Sequence, residues 1–513
     1  MEFDLLYMDA PAREQTPHAK DLIRDLKLDI LLGAMSGGDK AVFEACAVVL
    51  ANPLVHAQSI RMRNEVVRDA VIHGEVFELL RAAVREALDC TKKYAEYVKP
   101  KYDKVVSNSN KIVNETEIAQ ILVQGLQKLK ALLLLHRRDF QAAGLLQLCD
   151  AAKAALSDDY LARIQLRIEE LSPLRQGGGA CVSGRIGEGL KQADVVLNRF
   201  LEPAKRSRLP FASRGIAIPL SSMTLIQNAQ EITEKALAPI CRIIAAFNRA
   251  VQRFLEKLDF QLKFLVGCFR LHQRLENLGV PVCYPELGED GRHTASLLVD
   301  AGLALKEANV PVGNDGCFSN KRLIIITGPN QGGKTTFLRS VGLAQLMAQC
   351  GMFVAARQYI CPVYAGIFTY FPNGEDTRMQ MGLLEVELSK LSGLVDIMKP
   401  GSLLLMNESF QTTTPKDAKR LAAEIVPALM EAGVQVFFVT HLYGYATDVY
   451  AHQNGNVLFL LAQRSREGNN TYCVREGSPF KSAYGLTLFL EVMHGSGICP
   501  EDGPEDTPSS VYE

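Results

Sequence analysis

The chain has 513 residues, of which 48% are hydrophobic, and a formal net charge of -1 at pH 7. This length and apolar content can support several cores, so about two to four domains are expected. The near-neutral balance excludes a basic surface that extends over the whole molecule. Any contact with nucleic acid must therefore be local.

The twelve cysteines include no C-x-x-C pair, and no cleavable apolar leader precedes the acidic start of the chain. Both observations favour reduced thiols in a reducing compartment. Cys317, Cys350 and Cys361 lie near one another in sequence and are interpreted as buried apolar thiols rather than metal ligands. No apolar run approaches the ~20 residues needed to cross a bilayer. We therefore expect a soluble, cytoplasmic protein with no membrane partner.

The first half of the chain is predicted to be helical. A short amphipathic helix is expected around residues 19–26, followed by a small-residue break at Ser36-Gly37-Gly38. From about Leu50 to Leu287, apolar residues recur at helical spacing almost throughout. Long helices with few prolines suit a stiff lever, but an ordinary helical bundle has the same periodicity, and the two remain open.

Two kinds of interruption break this helical pattern. Residues 172–179 are rich in glycine and predict a loop or hinge. Residues 203–210 carry three basic residues between two prolines, and residues 99–104 form a lesser basic run. Such runs are candidate contacts to a nucleic-acid backbone, although short basic runs usually form only a solvated surface.

From about residue 284 the pattern changes to strands that alternate with helices. Strands are predicted at residues 323–326, 352–356, 364–371, 402–406 and 435–440, helices at 337–347, 381–391 and 416–430, and a hairpin from strands at 457–460 and 471–474. This alternation predicts an open, mostly parallel sheet that binds its ligand at the carboxyl edge.

A phosphate-binding loop is predicted directly after the first of these strands. The pattern G-x-x-x-x-G-K-[ST] is met by Gly328, Gly333, Lys334 and Thr335. An isolated glycine-rich turn is usually only a turn, but here a buried strand precedes it and an amphipathic helix follows. The predicted nucleotide-binding residues are Gly328, Pro329, Asn330, Gln331, Gly332, Gly333, Lys334, Thr335 and Thr336. Lys334 would neutralise the β- and γ-phosphates of ATP, and the Thr335 hydroxyl would bind Mg²⁺.

Candidate catalytic residues follow two later strands. The strand at 402–406 ends in Asn407 and Glu408, and Glu408 can accept a proton from the attacking water or orient it. Asn407 stands where phosphate-loop ATPases place the carboxylate of the magnesium shell, so weaker metal binding and slower hydrolysis are expected. His441 follows the strand at 435–440 and can hydrogen-bond the γ-phosphate, although a lone histidine at a strand end is more often structural.

These motifs resemble those of the MutS family of DNA mismatch-repair ATPases. Residues 327–339, TGPNQGGKTTFLR, are similar to the family's TGPNMGGKSTYLR, and residues 404–408, LLMNE, to its LLMDE. The other similar segments are the threonine run 412–415 (GTST loop), Thr440-His441 (switch histidine), residues 385–388 (VEM signature), residues 482–486 near the end of the ATPase domain, and residues 52–67 at the start of the helical core.

The resemblance implies an architecture and a function. It implies an N-terminal segment (1–45), a helical core and lever region (46–290), an ABC-type P-loop ATPase domain (291–497) and an acidic, disordered tail (498–513). It also implies an ATP- and Mg²⁺-dependent sensor of mismatched, damaged or otherwise structured DNA. Such a protein acts as a homodimer with shared ATP sites.

Departures from the family pattern support an alternative. Besides Asn407, Gly382 stands at the position of the signature serine, although a glycine N–H could still face a phosphate. We find no Phe-x-Glu mismatch wedge near the start and expect no mismatch-reading domain. The alternative is a weakly hydrolysing or non-hydrolysing, nucleotide-gated dimeric scaffold that binds proteins rather than DNA.

Overall fold

The structure is a computed structural model that describes residues 4–7, 18–99, 107–186, 192–202, 223–288, 291–371, 382–452, 455–465 and 469–479. Two compact units make up the chain. The helical unit comprises Met1–Pro285, Ala304–Asn309 and Gln345–Val354. The sheet unit comprises Glu286–Leu303, Val310–Ala344 and Ala355–Glu513. The molecule is therefore mixed α/β, as the sequence predicts.

Fifteen helices lie in the part of the chain that the structure describes. They are α1 (Ala19–Asp25), α2 (Leu28–Ser36), α3 (Lys40–Leu50), α4 (Ala57–Ile72), α5 (Gly74–Tyr97), α6 (Asn108–Leu135), α7 (Ala143–Ala155), α8 (Asp158–Glu170), α9 (Ser172–Arg175), α10 (Met223–Asn277), α11 (Ala301–Glu307), α12 (Lys334–Gln349), α13 (Leu383–Val395), α14 (Pro415–Glu431) and α15 (Tyr443–Ala451).

The 55-residue helix α10 is the central element of the helical unit, and it packs against α2, α3, α4, α5 and α6. Its predicted apolar stripe is buried, with Leu255, Leu258 and Leu262 each at most 3% exposed. Helices α5 and α6 approach closely where Gly125 faces Ala87. A Cβ atom at position 125 would lie only 2.5 Å from the Cβ of Ala87, so glycine permits this packing.

Helix α6 corrects the expectation that no apolar run is long enough to cross a bilayer. By length and composition, α6 could cross a membrane, which was not expected from the sequence. Within the helical unit α6 packs against α5 and α10, and Leu122, Leu126 and Leu129 are buried there. A core helix of this kind passes the same hydropathy test because its apolar face serves the protein interior.

A β-hairpin interrupts the region that the sequence predicts to be helical. Strands β1 (Gly179–Ile186) and β2 (Gln192–Leu201) pair antiparallel, with two irregularities in register. The predicted loop at residues 172–179 is in part helical, since α9 occupies Ser172–Arg175. The helical periodicity of the surrounding sequence concealed the hairpin, because mostly exposed strands lack a strong apolar alternation.

The sheet unit contains two sheets. The strands are β3 (Glu286–Leu287), β4 (Thr294–Leu298), β5 (Asn314–Cys317), β6 (Leu323–Thr327), β7 (Gln358–Cys361), β8 (Ile367–Tyr370), β9 (Leu403–Asn407), β10 (Gln435–Val439), β11 (Val457–Arg464) and β12 (Asn470–Glu476). The larger sheet has the order β12-β11-β6-β10-β9-β8, and the smaller one has the order β3-β7-β4-β5.

The larger sheet is parallel from β11 to β8, and only the β11–β12 hairpin is antiparallel. Strand β6 lies inside it, between β11 and β10, and all five of its residues are buried. A continuous run of leucine and isoleucine is the composition that a strand covered on both faces requires. The predicted strands at 323–326, 402–406 and 435–440 and the predicted hairpin are confirmed.

Two local predictions are wrong. Residues 352–356 form no strand and contribute only an isolated bridge between Val354 and Cys283. These residues are apolar because they are buried, not because they pair in a sheet. Cys317 is exposed at the end of the edge strand β5, whereas Cys350 and Cys361 are buried as predicted. Burial raises the pKa of Cys350 to about 12, which makes this thiol chemically inert.

Candidate nucleotide-binding site

The glycine-rich loop starts at the carboxyl end of the central strand β6. Since β6 pairs parallel with β10 and β11, its last residue, Thr327, delivers the loop to the edge where the other parallel strands also end. Helix α12 begins at Lys334, directly after the loop. Ligands of open parallel sheets bind at this edge, with anions near the first turn of the following helix.

Two glycines allow the loop to take its path. Gly328 has φ +127°, and a Cβ atom there would lie 3.0 Å from backbone and side-chain atoms of Ala462 on β11. Gly333 has φ +91°, which a residue with a side chain adopts only under strain. Gln331 takes the left-handed region with φ 60° and is exposed, as is Asn330. The loop therefore passes close to the β11 backbone and presents its tip to solvent.

Lys334 folds back over the loop. Its Nζ donates to the carbonyl oxygens of Pro329 at 2.8 Å and Gly328 at 3.1 Å, and the residue is 4% exposed. Desolvation lowers the pKa of Lys334, and the carboxylate of Glu408 opposes that change. The ammonium group is thus held among loop carbonyls, which a triphosphate could replace as its partners.

The two residues predicted to hold the metal are in contact. The Thr335 hydroxyl donates to Asn407 Oδ1 at 2.9 Å. Thr335 lies in the first turn of α12, and Asn407 is the last residue of β9, two strands away from β6 in the sheet. Because the two strands end at the same edge, residues 72 positions apart meet there. Both side chains offer the oxygen ligands that Mg²⁺ prefers.

Glu408 and His441 form the second contact at this edge. His441 Nε2 lies 2.7 Å from Glu408 Oε1, and the side chains are 34% and 30% exposed. The hydrogen bond from His441 is the main cause that lowers the pKa of Glu408, with smaller contributions from the charges of His441 and Lys334. Glu408 is therefore ionised near neutral pH and half-open to solvent, as a group that orients water must be.

The side chains at this edge fit a magnesium ion that is bound together with phosphates. Within the described ranges, no group of three or more His, Cys, Asp or Glu side chains is placed to hold a metal. Mg²⁺ usually takes only one or two protein ligands and keeps water and phosphate oxygens for the rest. The pair Thr335 and Asn407, with Glu408 adjacent, suits that mode of binding.

The remaining motif residues are placed as follows. Thr414, in the threonine run, caps α14: its hydroxyl donates to Asp417 Oδ2 at 2.7 Å and accepts from the Asp417 N–H at 3.2 Å. This is a structural role at a helix start.

Gly382 precedes α13, is exposed, and has open space around the position of a Cβ. Residues 100–104, 203–210 and 482–486 lie outside the described residues.

Sequence reasoning missed two residues beside the loop. A Cβ atom placed on Gly333 would lie 3.5 Å from Cδ1 of Tyr472. Tyr472 is 51% exposed. The backbone of Tyr472 is in the left-handed region, with φ 58°. The Asn314 side chain holds this part of β12 through two hydrogen bonds: Oδ1 accepts from the Val474 N–H at 2.7 Å, and Nδ2 donates to the Tyr472 carbonyl oxygen at 3.3 Å. No sequence signal identifies this contact, because residue 472 reaches the loop only through the β11–β12 hairpin.

Fold and loop together define a mixed α/β protein with a parallel sheet and a phosphate-loop motif at its carboxyl edge. Family models match most of the chain: the model described as MutS2 N-terminal domain matches residues 55–278, and that described as MutS domain V matches residues 324–493. The chain belongs to the MutS family. The resemblance stated from the motifs is thereby confirmed.

Curated relatives agree with this assignment. DNA mismatch repair protein MutS of Thermotoga neapolitana is 37% identical over 201 residues, which cover 38% of this chain and 24% of the relative. The MutS protein of Thermotoga sp. strain RQ2 is 34% identical over 197 residues, with the same two coverages. That of Bacillus velezensis is 24% identical over 269 residues, 48% of this chain and 29% of the relative. The chain spans about a quarter of the length of the first of these relatives.

Proposed function

We propose that this protein is an ATPase that binds Mg²⁺-ATP at the loop between β6 and α12 and uses it to control binding to structured DNA. One observation carries the proposal. Lys334, the Thr335–Asn407 pair and the Glu408–His441 pair come from three separate parts of the sequence and meet at one sheet edge. These are the group types that phosphoryl transfer to water requires.

The loop and Lys334 would grip the phosphates. Lys334 already lies over the loop, so its ammonium would exchange the carbonyls of Gly328 and Pro329 for β- and γ-phosphate oxygens. The backbone N–H groups of residues 330–335 and the start of α12 would face the same anion. Mg²⁺, held by Thr335 and through water by Asn407, would neutralise charge that develops on the phosphates.

Glu408 and His441 would act on the attacking water. The ionised Glu408 carboxylate can accept a hydrogen bond from water, and its partner His441 holds the Oε1 atom in place. His441 would also hydrogen-bond the γ-phosphate. Because Asn407 adds no charge to the metal site, we expect turnover that is slower than with an aspartate at this position.

Tyr472 is suited to the base of the nucleotide. Its ring is half exposed and lies beside Gly333, and an aromatic face next to a phosphate loop can stack on a purine. Asn314 fixes the Tyr472 peptide in its left-handed conformation. Adenine would therefore lie against β12, on the side of the loop away from β10.

We also propose that the protein acts as a homodimer in which each copy completes the other's ATP site. Helix α13 starts after the exposed Gly382, so the N–H groups of its first turn are open to a phosphate from a second copy. The curated relatives are named for DNA mismatch repair, which supports DNA as the partner. With the near-neutral net charge, DNA contact would be local and mostly to phosphates.

The proposal also includes domain boundaries and a cellular location. We propose an ABC-type P-loop ATPase domain at residues 291–497, preceded by a helical core and lever region at 46–290 that would carry the nucleotide state towards DNA. An N-terminal segment of 45 residues and a tail after residue 497 complete the chain. The protein would be soluble and cytoplasmic.

The alternative function is a nucleotide-gated scaffold that binds proteins. Asn407 at the metal site favours it, because an uncharged ligand weakens Mg²⁺ binding and can leave ATP bound without turnover. Such a protein would still dimerise and change state with nucleotide, since differential affinity of two states for ATP is enough. Glu408, poised beside His441, favours hydrolysis.

Calorimetry and steady-state ATPase assays test these proposals. Wild-type protein should bind ATP and hydrolyse it only with Mg²⁺, Lys334→Ala should lose binding, and Glu408→Gln should keep binding but lose turnover. Binding without turnover in the wild type supports the scaffold, and absence of binding refutes both functions. Affinity for branched or bent DNA should fall steeply with salt; no binding at low salt would remove DNA from the proposal.

A further inference from the structure

The carboxylate of Glu387 links helix α13 to the loop that follows Glu408. Its Oε1 accepts a hydrogen bond from the Phe410 N–H at 2.6 Å, and its Oε2 accepts one from the Thr412 hydroxyl at 2.6 Å. The backbone carbonyl of Glu387 also accepts a hydrogen bond from the Tyr370 hydroxyl at 2.8 Å. Glu387 is thus fixed to β8 by its backbone and to the loop of residues 408–412, here called the post-strand loop, by its side chain.

The post-strand loop has a conformation that its own sequence does not favour. Glu408 has φ 49° and Phe410 has φ 67°, and both carry side chains. Residues other than glycine adopt the left-handed region at a cost, and they stay there only where the surroundings hold them. The loop contains no glycine, so external contacts must determine its path.

Several contacts hold this loop, and Glu387 supplies two of the hydrogen bonds. The Phe410 side chain is fully buried, with its ring centroid 6.3 Å from that of Tyr370. Burial anchors the side chain but does not orient the peptide that joins residues 409 and 410. The bond from the Phe410 N–H to a carboxylate does orient it, because charge-assisted hydrogen bonds are short and directional.

The orientation of that peptide bears on Glu408, which lies two residues earlier. The Glu408 N–H is bonded to the Val439 carbonyl at 2.8 Å on the neighbouring strand β10. Glu408 is therefore held on its N-terminal side by the sheet and on its C-terminal side by the bond between Phe410 and Glu387. Between these two anchors the carboxylate points to His441.

We propose that Glu387 is a positioning residue for the hydrolytic carboxylate of its own chain, which it controls by fixing the post-strand loop. The proposal rests on the proposed ATPase function. It gives residues 385–388, the segment similar to the VEM signature, a role within one subunit, besides the contact to a partner's nucleotide that the family resemblance implies. Since Glu387 touches neither loop residue 334 nor 335, it should affect turnover and leave nucleotide binding intact.

The test compares kcat and the ATP dissociation constant of Glu387→Ala, Glu387→Gln and Thr412→Val. Glu387→Ala loses both bonds, and a small displacement of a reacting group lowers rates strongly, so kcat should fall by about tenfold or more while Kd for ATP changes less than twofold. Glu387→Gln retains one acceptor oxygen for the Phe410 N–H and should recover part of the rate. Thr412→Val removes one contact only and should lower kcat less than Glu387→Ala.

The matched control is Asp396→Asn, which changes an exposed carboxylate at the opposite end of the same helix and should leave kcat unchanged. A purely structural role for Glu387 predicts that kcat and ATP affinity fall together with the thermal midpoint, and this result would overturn the proposal. So would Glu387→Ala with wild-type kcat, or Glu387→Gln no better than alanine. If Glu387→Ala does not fold, Thr412→Val with wild-type kcat would overturn it. Wild-type protein without Mg²⁺-dependent turnover would instead refute the ATPase function on which the proposal rests.

Discussion

The Thr335 hydroxyl and the Asn407 side-chain oxygen are 2.9 Å apart, so the phosphate loop and the end of β9 share one hydrogen bond. In the proposed site both groups lie where the metal is bound. An amide in place of a carboxylate keeps this bond but supplies no negative charge. In the proposed metal site the ligand charge would therefore depend on residue 407, which can be exchanged for aspartate with little change of shape.

Asn407→Asp should strengthen Mg²⁺ binding and raise turnover. The substitution replaces a neutral oxygen ligand by an anionic one of the same size, so the Mg²⁺ concentration for half-maximal ATPase rate should drop by about tenfold, or ~1.4 kcal/mol. The measurement is the ATPase rate as a function of Mg²⁺ at saturating ATP. Asn407→Ala, which removes the ligand, is the matched control and should move the dependence in the opposite direction. Unchanged kinetics in the aspartate variant would show that the amide does not limit the reaction.

His441→Ala should move the acid limit of the reaction to higher pH. The pKa of Glu408 is lowered mainly by its hydrogen bond to His441, so the wild-type carboxylate stays ionised below the ordinary range of glutamate. Without His441 this pKa rises, and protonation inactivates Glu408 at a higher pH. The measurement is kcat against pH on the acid side. His452→Ala, at an exposed histidine of the same unit, serves as control. If the acid limb of the pH profile does not move, protonation of Glu408 does not limit kcat.

The same contact contributes to stability. Because the folded-state pKa of Glu408 lies below its unfolded value, the contribution is present above the unfolded pKa of ~4.3 and is lost as pH falls through the folded pKa. Glu408 is partly exposed, so solvent screening makes the effect small. The difference in free energy of unfolding between the wild type and His441→Ala should accordingly be largest above pH ~4.3 and should shrink as the pH falls below that value.

Tyr472→Ala should weaken binding of ATP but not of its phosphate portion. Loss of a stacking aromatic ring costs ~1–3 kcal/mol per base, which corresponds to a rise in Kd of about fivefold to 150-fold. Calorimetry with ATP and with inorganic tripolyphosphate distinguishes the two portions of the ligand. Tyr472→Phe keeps the ring and should bind ATP like the wild type. Equal losses for both ligands would mean that Tyr472 shapes the loop rather than holding the base.

Arg63→Ala should destabilise the helical unit. Arg63 is 0% exposed, donates from Nε to the Leu6 carbonyl at 2.9 Å, and lies over the Tyr7 ring at 4.6 Å. Removing it leaves a cavity and an unbonded buried carbonyl, so the free energy of unfolding should fall by about 3 kcal/mol. Chemical denaturation followed by circular dichroism measures the change. Arg61→Ala, an exposed arginine on the same helix, should stay within about 0.5 kcal/mol of the wild type.

Strong local patterns made the sheet unit readable from the sequence. The run Leu323–Thr327 is too short and too apolar for a helix, and it is followed by glycines at fixed spacing, so strand, loop and helix could each be placed. The β1–β2 hairpin could not be placed, because its residues are mostly exposed and show no clear alternation. Residues 352–356 were wrongly predicted as a strand because they are apolar. They are apolar because they are buried, and they do not pair in a sheet.

The sequence by itself determined the phosphate loop, the two strand ends at Asn407 and Glu408, and family membership, because these depend on residue type at short spacing along the chain. Only the tertiary structure decided which distant residues meet: Tyr472 with Gly333, Asn314 with β12, and Glu387 with Phe410. Such contacts follow from the order in which strands pair. Strand order depends on the packing of the whole sheet, and no local pattern encodes it.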